Sequence, residues 1–237
     1  MSAGTADAPA LEVRDLRFAY PGSAWTLAVP ALRIARGERI FLHGPSGSGK
    51  STLLNLVAGT LRPDAGTVRV AGREVSALGG WRRDRARADS TGILFQQFNL
   101  MPFLSPVDNV LLPCRFSVER RRRARARFGS LAAAASELLR RLRLPEATWT
   151  RRAGSLSVGQ QQRVAAARAL IGEPALVIAD EPTSALDVRA RDDFLELLFA
   201  ECDVAGSGLL LVSHDLAIAR RFHLVESLAD LQAERAA

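Results

Sequence analysis

The chain has 237 residues, 48% of them hydrophobic, and carries 32 lysines plus arginines against 25 carboxylates, a formal charge of +7. That is enough apolar material to bury the core of one large domain or two closely packed lobes, while no apolar run approaches the ~18–20 residues that span a bilayer, which excludes a membrane-spanning helix. The start, MSAGTADAPALEV, lacks a basic region followed by an apolar core, so no signal peptide is expected; residues 1–10 are read as a disordered tail and residues 11–237 as a single domain kept in the cytoplasm.

Taken in chain order, RIFLHG (39–44) is a short β-like run ending in glycine, and KSTLLNLVAGT follows it with Leu53, Leu54, Leu56 and Val57 on a helical stripe. The loop between them reads Gly44-Pro45-Ser46-Gly47-Ser48-Gly49-Lys50-Ser51, followed by Thr52, and fits G-x-x-x-x-G-K-[ST]. Small residues let backbone amides wrap phosphates, and the helix N-terminus adds the positive end of its dipole. Lys50 is placed to reach the β- and γ-phosphates of a nucleotide, and the Ser51 hydroxyl to ligate Mg²⁺. The competing reading is a glycine-rich turn with a surface lysine, yet Lys50 is the only lysine of the chain and stands among 31 arginines.

The run ERRRRARARF (119–128) is read as one solvated helix face; it lacks the aromatic interleaving of a base-stacking surface. FGSLAAAASELLRRLRL (128–144) has strong helix formers with leucines on one side, so a helical subdomain is expected over about 97–164, set into a core of about 11–95 and 165–230. Cys114 and Cys202 have no metal-ligand spacing and are read as packing residues. ALVIADEP (175–182) is apolar throughout, as suits a parallel strand covered on both faces, and ends in two carboxylates: Asp180 can hold Mg²⁺ through water and Glu181 can act as a general base. Solvated strand-end acids are the alternative. GLLLVSH (208–214) repeats the buried-strand pattern.

LSVGQQQRVAAARAL (156–170) resembles the signature of the ATP-binding-cassette ATPases, whose usual form is LSGGQ, and the other elements of that family occur in order around it. The resemblance implies an α/β fold: a P-loop NTPase core with a mainly parallel sheet, a small N-terminal antiparallel β part and an inserted helical subdomain. It implies that Tyr20 in LRFAYPG, the only tyrosine, stacks on adenine, with Phe18 as the competing ring. It assigns Gln96 in ILFQQFNLMP, rather than Gln97, to sensing Mg²⁺ and the attacking water, and His214 in LLLVSHD to contacting the γ-phosphate. SALD (184–187) matches the loop after the catalytic glutamate. Ser157, Gly159 and Gln160 would face the ATP of a second copy, with Val158 replacing the first glycine of the usual signature. The last stretch, LAIARRFHLVESLADLQAERAA, is read as lacking the family's closing strand and glycine turn, with no regulatory domain after it. His43 and His223 receive no role.

Gln96 and Ser157 lie 61 positions apart, room for a compact helical subdomain but not for a long coiled coil. FQQFNLMPFLSPVDNVLLP looks most like the ATPases of the lipoprotein-release and macrolide-export group. The resemblance therefore implies an ATP- and Mg²⁺-dependent ATPase subunit, paired head to tail with a second copy. It would drive transmembrane permease subunits from the cytoplasmic face of the inner membrane, in export or mechanotransmission, with no nucleic acid as partner. An importer subunit of the same fold, or a soluble cassette ATPase acting on nucleic acid, are the competing readings.

Overall fold

The computed structural model describes residues 8–233. Of the tail expected over residues 1–10, the first seven lie outside the described residues, and Ala10 is buried.

Two sheets organise the molecule. An antiparallel sheet has the order β2-β1-β4-β5, from β1 (Leu11–Ala19), β2 (Thr26–Ile34), β4 (Ala65–Val70) and β5 (Arg73–Glu74). Along β1 the buried residues are Leu11 and Val13, then Leu16 and Phe18. A strict two-residue alternation would send the second pair to solvent. The register against β4 shifts between Arg14 and Arg17, and this bulge resets the phase so that both pairs face one core.

The second sheet has the order β6-β7-β8-β3-β9, from β3 (Arg39–His43), β6 (Thr91–Leu94), β7 (Leu176–Asp180), β8 (Gly208–Val212) and β9 (Leu224–Ser227), and every neighbouring pair is parallel. Both faces are covered at its central strands, which is why β7 and β8 are apolar at nearly every position, while the edge strand β9 keeps Leu224 and Val225 exposed. Phe41, Val177, Ala179, Leu209 and Leu211 join a core beneath the helices, while Ile40, Leu42, Leu176, Ile178, Leu210 and Val212 join a core shared with the antiparallel sheet and α1 (Lys50–Ala58).

Beyond α1 come α2 (Gly80–Ser90), α3 (Pro106–Phe116), α4 (Val118–Phe128), α5 (Leu131–Arg141), α6 (Val158–Leu170), α7 (Val188–Ala205) and α8 (Leu228–Ala233). Serine side chains cap the starts of four of them: Ser105, Ser117, Ser130 and Ser157 each accept a backbone N–H of the first turn of α3, α4, α5 and α6. Such caps satisfy amides that a helix cannot satisfy itself. Leu138 and Leu139 of α5 share one apolar cluster with Val177 and Leu211 of the sheet, and α6 runs unbroken through position 164. Cys114 and Cys202 are buried and unpaired, and burial pushes the Cys202 thiol up to about 12.

Two sequence expectations are corrected here. The closing segment does contain a strand: β9 pairs with β3 from Ile40↔Leu224 to His43↔Ser227. Its apolar content is only Leu224 and Val225, too little to read as a strand without the partner edge that β3 provides. The arginine run is not one solvated face, because Arg120 is 1% exposed. Its Nη1 donates to the Ala169 and Ile171 carbonyls (both 3.1 Å) and its Nη2 to the Thr91 carbonyl (2.7 Å). The first two are carbonyls that α6 leaves open at its C-terminal end, where a cation is favoured. Burial lowers the guanidinium to about 10, so it stays cationic at neutral pH. Arg120 thereby ties α4 to α6 and β6.

Arg120→Leu leaves three buried carbonyls without donors and should cost about 2–4 kcal/mol, whereas Arg125→Leu on the exposed side of α4 should stay within ~0.5 kcal/mol. Thermal melts of both variants check this; equal melting temperatures would show that Arg120 is not a structural cap.

Candidate functional site

Four chain segments leave the carboxyl ends of four adjacent parallel strands: the glycine-rich loop after β3, Phe95-Gln96 after β6, Glu181 after β7, and Ser213-His214 after β8. Ligands of open parallel sheets bind at that end. Here Lys50, Ser51, Gln96, Asp180 and Glu181 surround a cleft of about 420 Å³, which Ser46, Gly47, Gly49 and Thr52 also line.

The loop takes its shape from glycines. Gly49 has φ +104°, and a Cβ there would sit 2.6 Å from the Trp25 ring, so no other residue fits. The chain then turns directly into α1, whose first turn contains no acidic side chain and whose N-cap, Gly49, supplies no side-chain acceptor. Its amides are therefore open to an anion. The Lys50 ammonium donates to the carbonyls of Gly44 (2.7 Å) and Pro45 (2.8 Å), curled against its own loop. A compact ammonium on a thin stem suits this position; a planar guanidinium is wider and favours fork-shaped partners. Behind the loop, Ser48 accepts the Gln232 side-chain amide of α8 on its carbonyl (3.4 Å).

Tyr20 follows β1 directly, is 44% exposed and lines the cleft. Its ring stands edge-on to Phe18 at 4.9 Å, and its hydroxyl is 3.3 Å from Thr52 Oγ1. Phe18 is buried in the core, so Tyr20 is the ring of the two that the cleft meets. Gln96 lines the cleft, and its neighbour Gln97 does not. The structure also adds Trp25, which sequence reasoning missed. The signal available was an aromatic in the turn PGSAWT before β2; its seat on Gly49 depends on a contact across 24 positions that no local pattern reveals.

Glu181 has φ +46°, a left-handed conformation uncommon outside glycine and concentrated at functional positions. Its amide donates to the Val212 carbonyl (2.9 Å), tying it to β8. One carboxylate oxygen accepts the Ser213 hydroxyl (3.1 Å) and the other meets His214 Nδ1 (2.9 Å). The structure thus places His214 against Glu181, in an adjoining cleft of about 520 Å³ that Glu181 also lines. Ser213 is a second residue that the sequence did not flag. The hydrogen bond and charge of Glu181 raise the His214 imidazole above its ordinary value. Burial, with the Glu181 charge beside it, raises the Asp180 carboxyl; the Lys50 charge opposes this.

The donor set fits a magnesium nucleotide. One hydroxyl (Ser51), one amide (Gln96) and one carboxylate (Asp180) border the same cleft as the loop amides, and Mg²⁺ is commonly held by one or two carboxylates with phosphate oxygens and water completing its shell.

Ser157, Gly159 and Gln160 do not line this cleft. Ser157 Oγ accepts the Gln160 amide (3.4 Å) and Gln160 Oε1 accepts the Ser157 amide (3.1 Å), a capping box that starts α6. Val158 is 48% exposed, and a Cβ on Gly159 would meet nothing within 4 Å. Packing inside this chain gives no reason for a glycine there.

A family model described as ABC transporter matches residues 27–184. The lipoprotein-releasing system ATP-binding protein LolD of Anaeromyxobacter dehalogenans is 43% identical over 199 residues, covering 84% of this chain and 80% of that protein. The macrolide export ATP-binding/permease protein MacB 1/2 of Paracoccus denitrificans is 39% identical over 228 residues, covering 94% of this chain and 32% of that protein. The chain thus spans about a third of the length of the macrolide-export relatives it matches. Among solved structures, the dimeric post-hydrolysis state of the ATP-binding cassette MJ0796, a protein of Methanocaldococcus jannaschii, bound to ADP and Pi, superposes with a TM-score of 0.76 at 31% identity, covering 92% of this chain and 93% of that one.

Because Glu181 raises the His214 imidazole, their pairing stabilises the fold at pH below the unfolded histidine value and is lost as pH rises through the folded one. Glu181→Gln should return the His214 titration midpoint toward the ordinary histidine value, read by NMR of the imidazole protons. An unmoved midpoint would separate the two side chains in solution.

Proposed function

The chain belongs to the ABC transporter family and is one of its ATPases, and from that premise we propose that it is the nucleotide-binding subunit of a membrane transporter, working as a head-to-tail pair. The observation that carries this reading is the convergence of Lys50, Ser51, Gln96, Asp180 and Glu181 on one cleft at the carboxyl ends of adjacent parallel strands.

In this reading Tyr20 stacks on the base, and the amides of Ser46–Thr52 with the Lys50 ammonium hold the phosphate chain. Ser51, Gln96 and Asp180 hold Mg²⁺, which supplies charge neutralisation on the phosphate oxygens. Glu181 takes a proton from the attacking water, and its strained backbone and two hydrogen-bonded oxygens fix where that base points. His214, 74% exposed at its side chain, swings from Glu181 to the terminal phosphate. Ser157, Gly159 and Gln160 close over the nucleotide of a second copy; the open space over Gly159 supports this, since it leaves room for a phosphate to approach the backbone.

Among the described residues no helix is long and apolar enough to cross a membrane; in this reading, transmembrane permease subunits make the attachment. A groove of about 210 Å³ beside Gln96, lined by Phe95, Pro113, Phe116 and Arg168 among others, would seat it. The relatives named for macrolide export and lipoprotein release favour export or mechanotransmission over import.

Glu181→Gln should keep ATP binding, lower turnover by roughly 10²- to 10⁴-fold, and collect an ATP-bound dimer on size exclusion; near-normal turnover would remove Glu181 from the chemistry. Tyr20→Ala should weaken ATP binding about 5- to 100-fold by loss of base stacking while leaving saturated turnover largely unchanged. Gly159→Leu should fold and bind ATP as the parent does, because its side chain meets open space, yet neither dimerise with ATP nor turn over. Retained turnover in that variant would overturn the head-to-tail arrangement.

A further inference from the structure

The positive charge of this chain has an address. Between Gly80 and Phe128 stand eleven arginines and four carboxylates, a surplus equal to the +7 of the whole chain, so the rest of the sequence is balanced. That segment contains β6 and the three helices α2, α3 and α4, which pack together: α2 packs on both α3 and α4, and the Ser117 hydroxyl donates to Asp89 (2.6 Å) to join α4 to the end of α2. Within it Arg85, Arg87, Arg122 and Arg127 pair with Asp89, Asp84, Glu119 and Glu173. Arg82, Arg115 and Arg125 form no ion pair among the described residues and are exposed, while Arg121 donates to the Cys114 and Arg115 carbonyls.

The same segment holds the three most exposed aromatic side chains among the described residues, Trp81, Phe103 and Phe116, at 73%, 68% and 70%. Helical spacing explains part of the pattern. Arg120 and Ala124 turn inward on α4, which sends Val118, Arg122 and Arg125 outward, directly after the exposed Arg115-Phe116 pair of α3. Unpaired guanidinium groups interspersed with exposed aromatic and aliphatic side chains suit the headgroup zone of an anionic bilayer, where the charge meets phosphates and the apolar groups leave water. A nucleic acid or an acidic protein would use the charge without needing Phe116 and Val118 exposed beside it.

We propose that the α2–α4 side is a direct attachment surface for anionic phospholipid. Phe116 also lines the groove beside Gln96, so it meets lipid in the chain without its permease, and Arg115, Val118 and Arg125, which do not line that groove, remain free when a permease is seated; that orientation rests on the function proposed above, while the charge and the exposure do not.

The test is co-sedimentation of the full chain with phosphatidylcholine vesicles, with and without phosphatidylglycerol, at low and high salt. At low salt the protein should partition onto the anionic vesicles at least ~10-fold better than onto neutral ones, and high salt should release it. Trp81 emission should shift to the blue on binding, a shift that Trp81→Phe removes. Arg115→Glu combined with Arg125→Glu should lower partitioning at least ~10-fold with circular dichroism and basal ATP hydrolysis unchanged. Phe116→Ser should weaken vesicle binding but not retention on heparin. Equal partition onto neutral and anionic vesicles, no partition at low salt, or indifference to the charge reversal would overturn the proposal. Heparin retention without vesicle binding would overturn it in favour of a nucleic-acid surface. If the double variant fails to fold, the lipid and salt comparisons on the parent chain decide. Absent ATP hydrolysis by the parent would count against the function proposed above and leave the vesicle result standing.

Discussion

Burial of both faces of the central strands of the parallel sheet leaves only their ends for chemistry, and the rest of the structure follows from that constraint. A strand flanked on two sides by apolar cores cannot carry a charged side chain along its length without stranding it. Gln96, Glu181 and His214 accordingly lie just past strand termini, and Lys50 starts the helix that follows the loop after β3. Parallel pairing puts those termini on one edge, and the order β6-β7-β8-β3 lines up four segments that are far apart in sequence. The helices on one face and the antiparallel sheet on the other hold that edge fixed, which is what a site made of short polar segments requires.

At that edge the local rules of folding are broken, and each departure has a support. Gly49 occupies a backbone conformation closed to other residues and is roofed by Trp25. Glu181 is left-handed, held by its amide on Val212 and by Ser213 on its carboxylate. Such strain persists only where surrounding structure over-determines it. The capping box at Ser157 and Gln160 is the opposite case. It is a relaxed helix start whose oddity is what lies outside it, an exposed valine and a glycine with nothing above it.

What the sequence disclosed depended on how far apart the cooperating residues lie. The glycine-rich loop is contiguous, so its pattern and its place between β3 and α1 were legible directly. The buried strands β7 and β8 were legible from their unbroken apolar runs. Trp25 and Ser213 were not, because each acts through a contact formed only when distant strands meet. Arg120 was hidden differently. Nothing in a run of four consecutive arginines distinguishes the one that turns inward; helical phase against α6 and β6 selects it. β9 was missed because two apolar residues become a strand only beside β3.

The lone lysine has a consequence for the chemistry that can be done to this protein. Apart from the α-amino group, the chain offers one primary amine, and it lines the cleft at the strand ends. Acetylation, or conjugation of another polypeptide to a lysine, has a single side-chain acceptor here, and any such mark abolishes the one ammonium that the loop presents to the cleft. For the chemist the same fact is useful. An amine-selective label reports on a single side chain, because attachment requires the Lys50 amine to leave the carbonyls of Gly44 and Pro45 and to lose its proton.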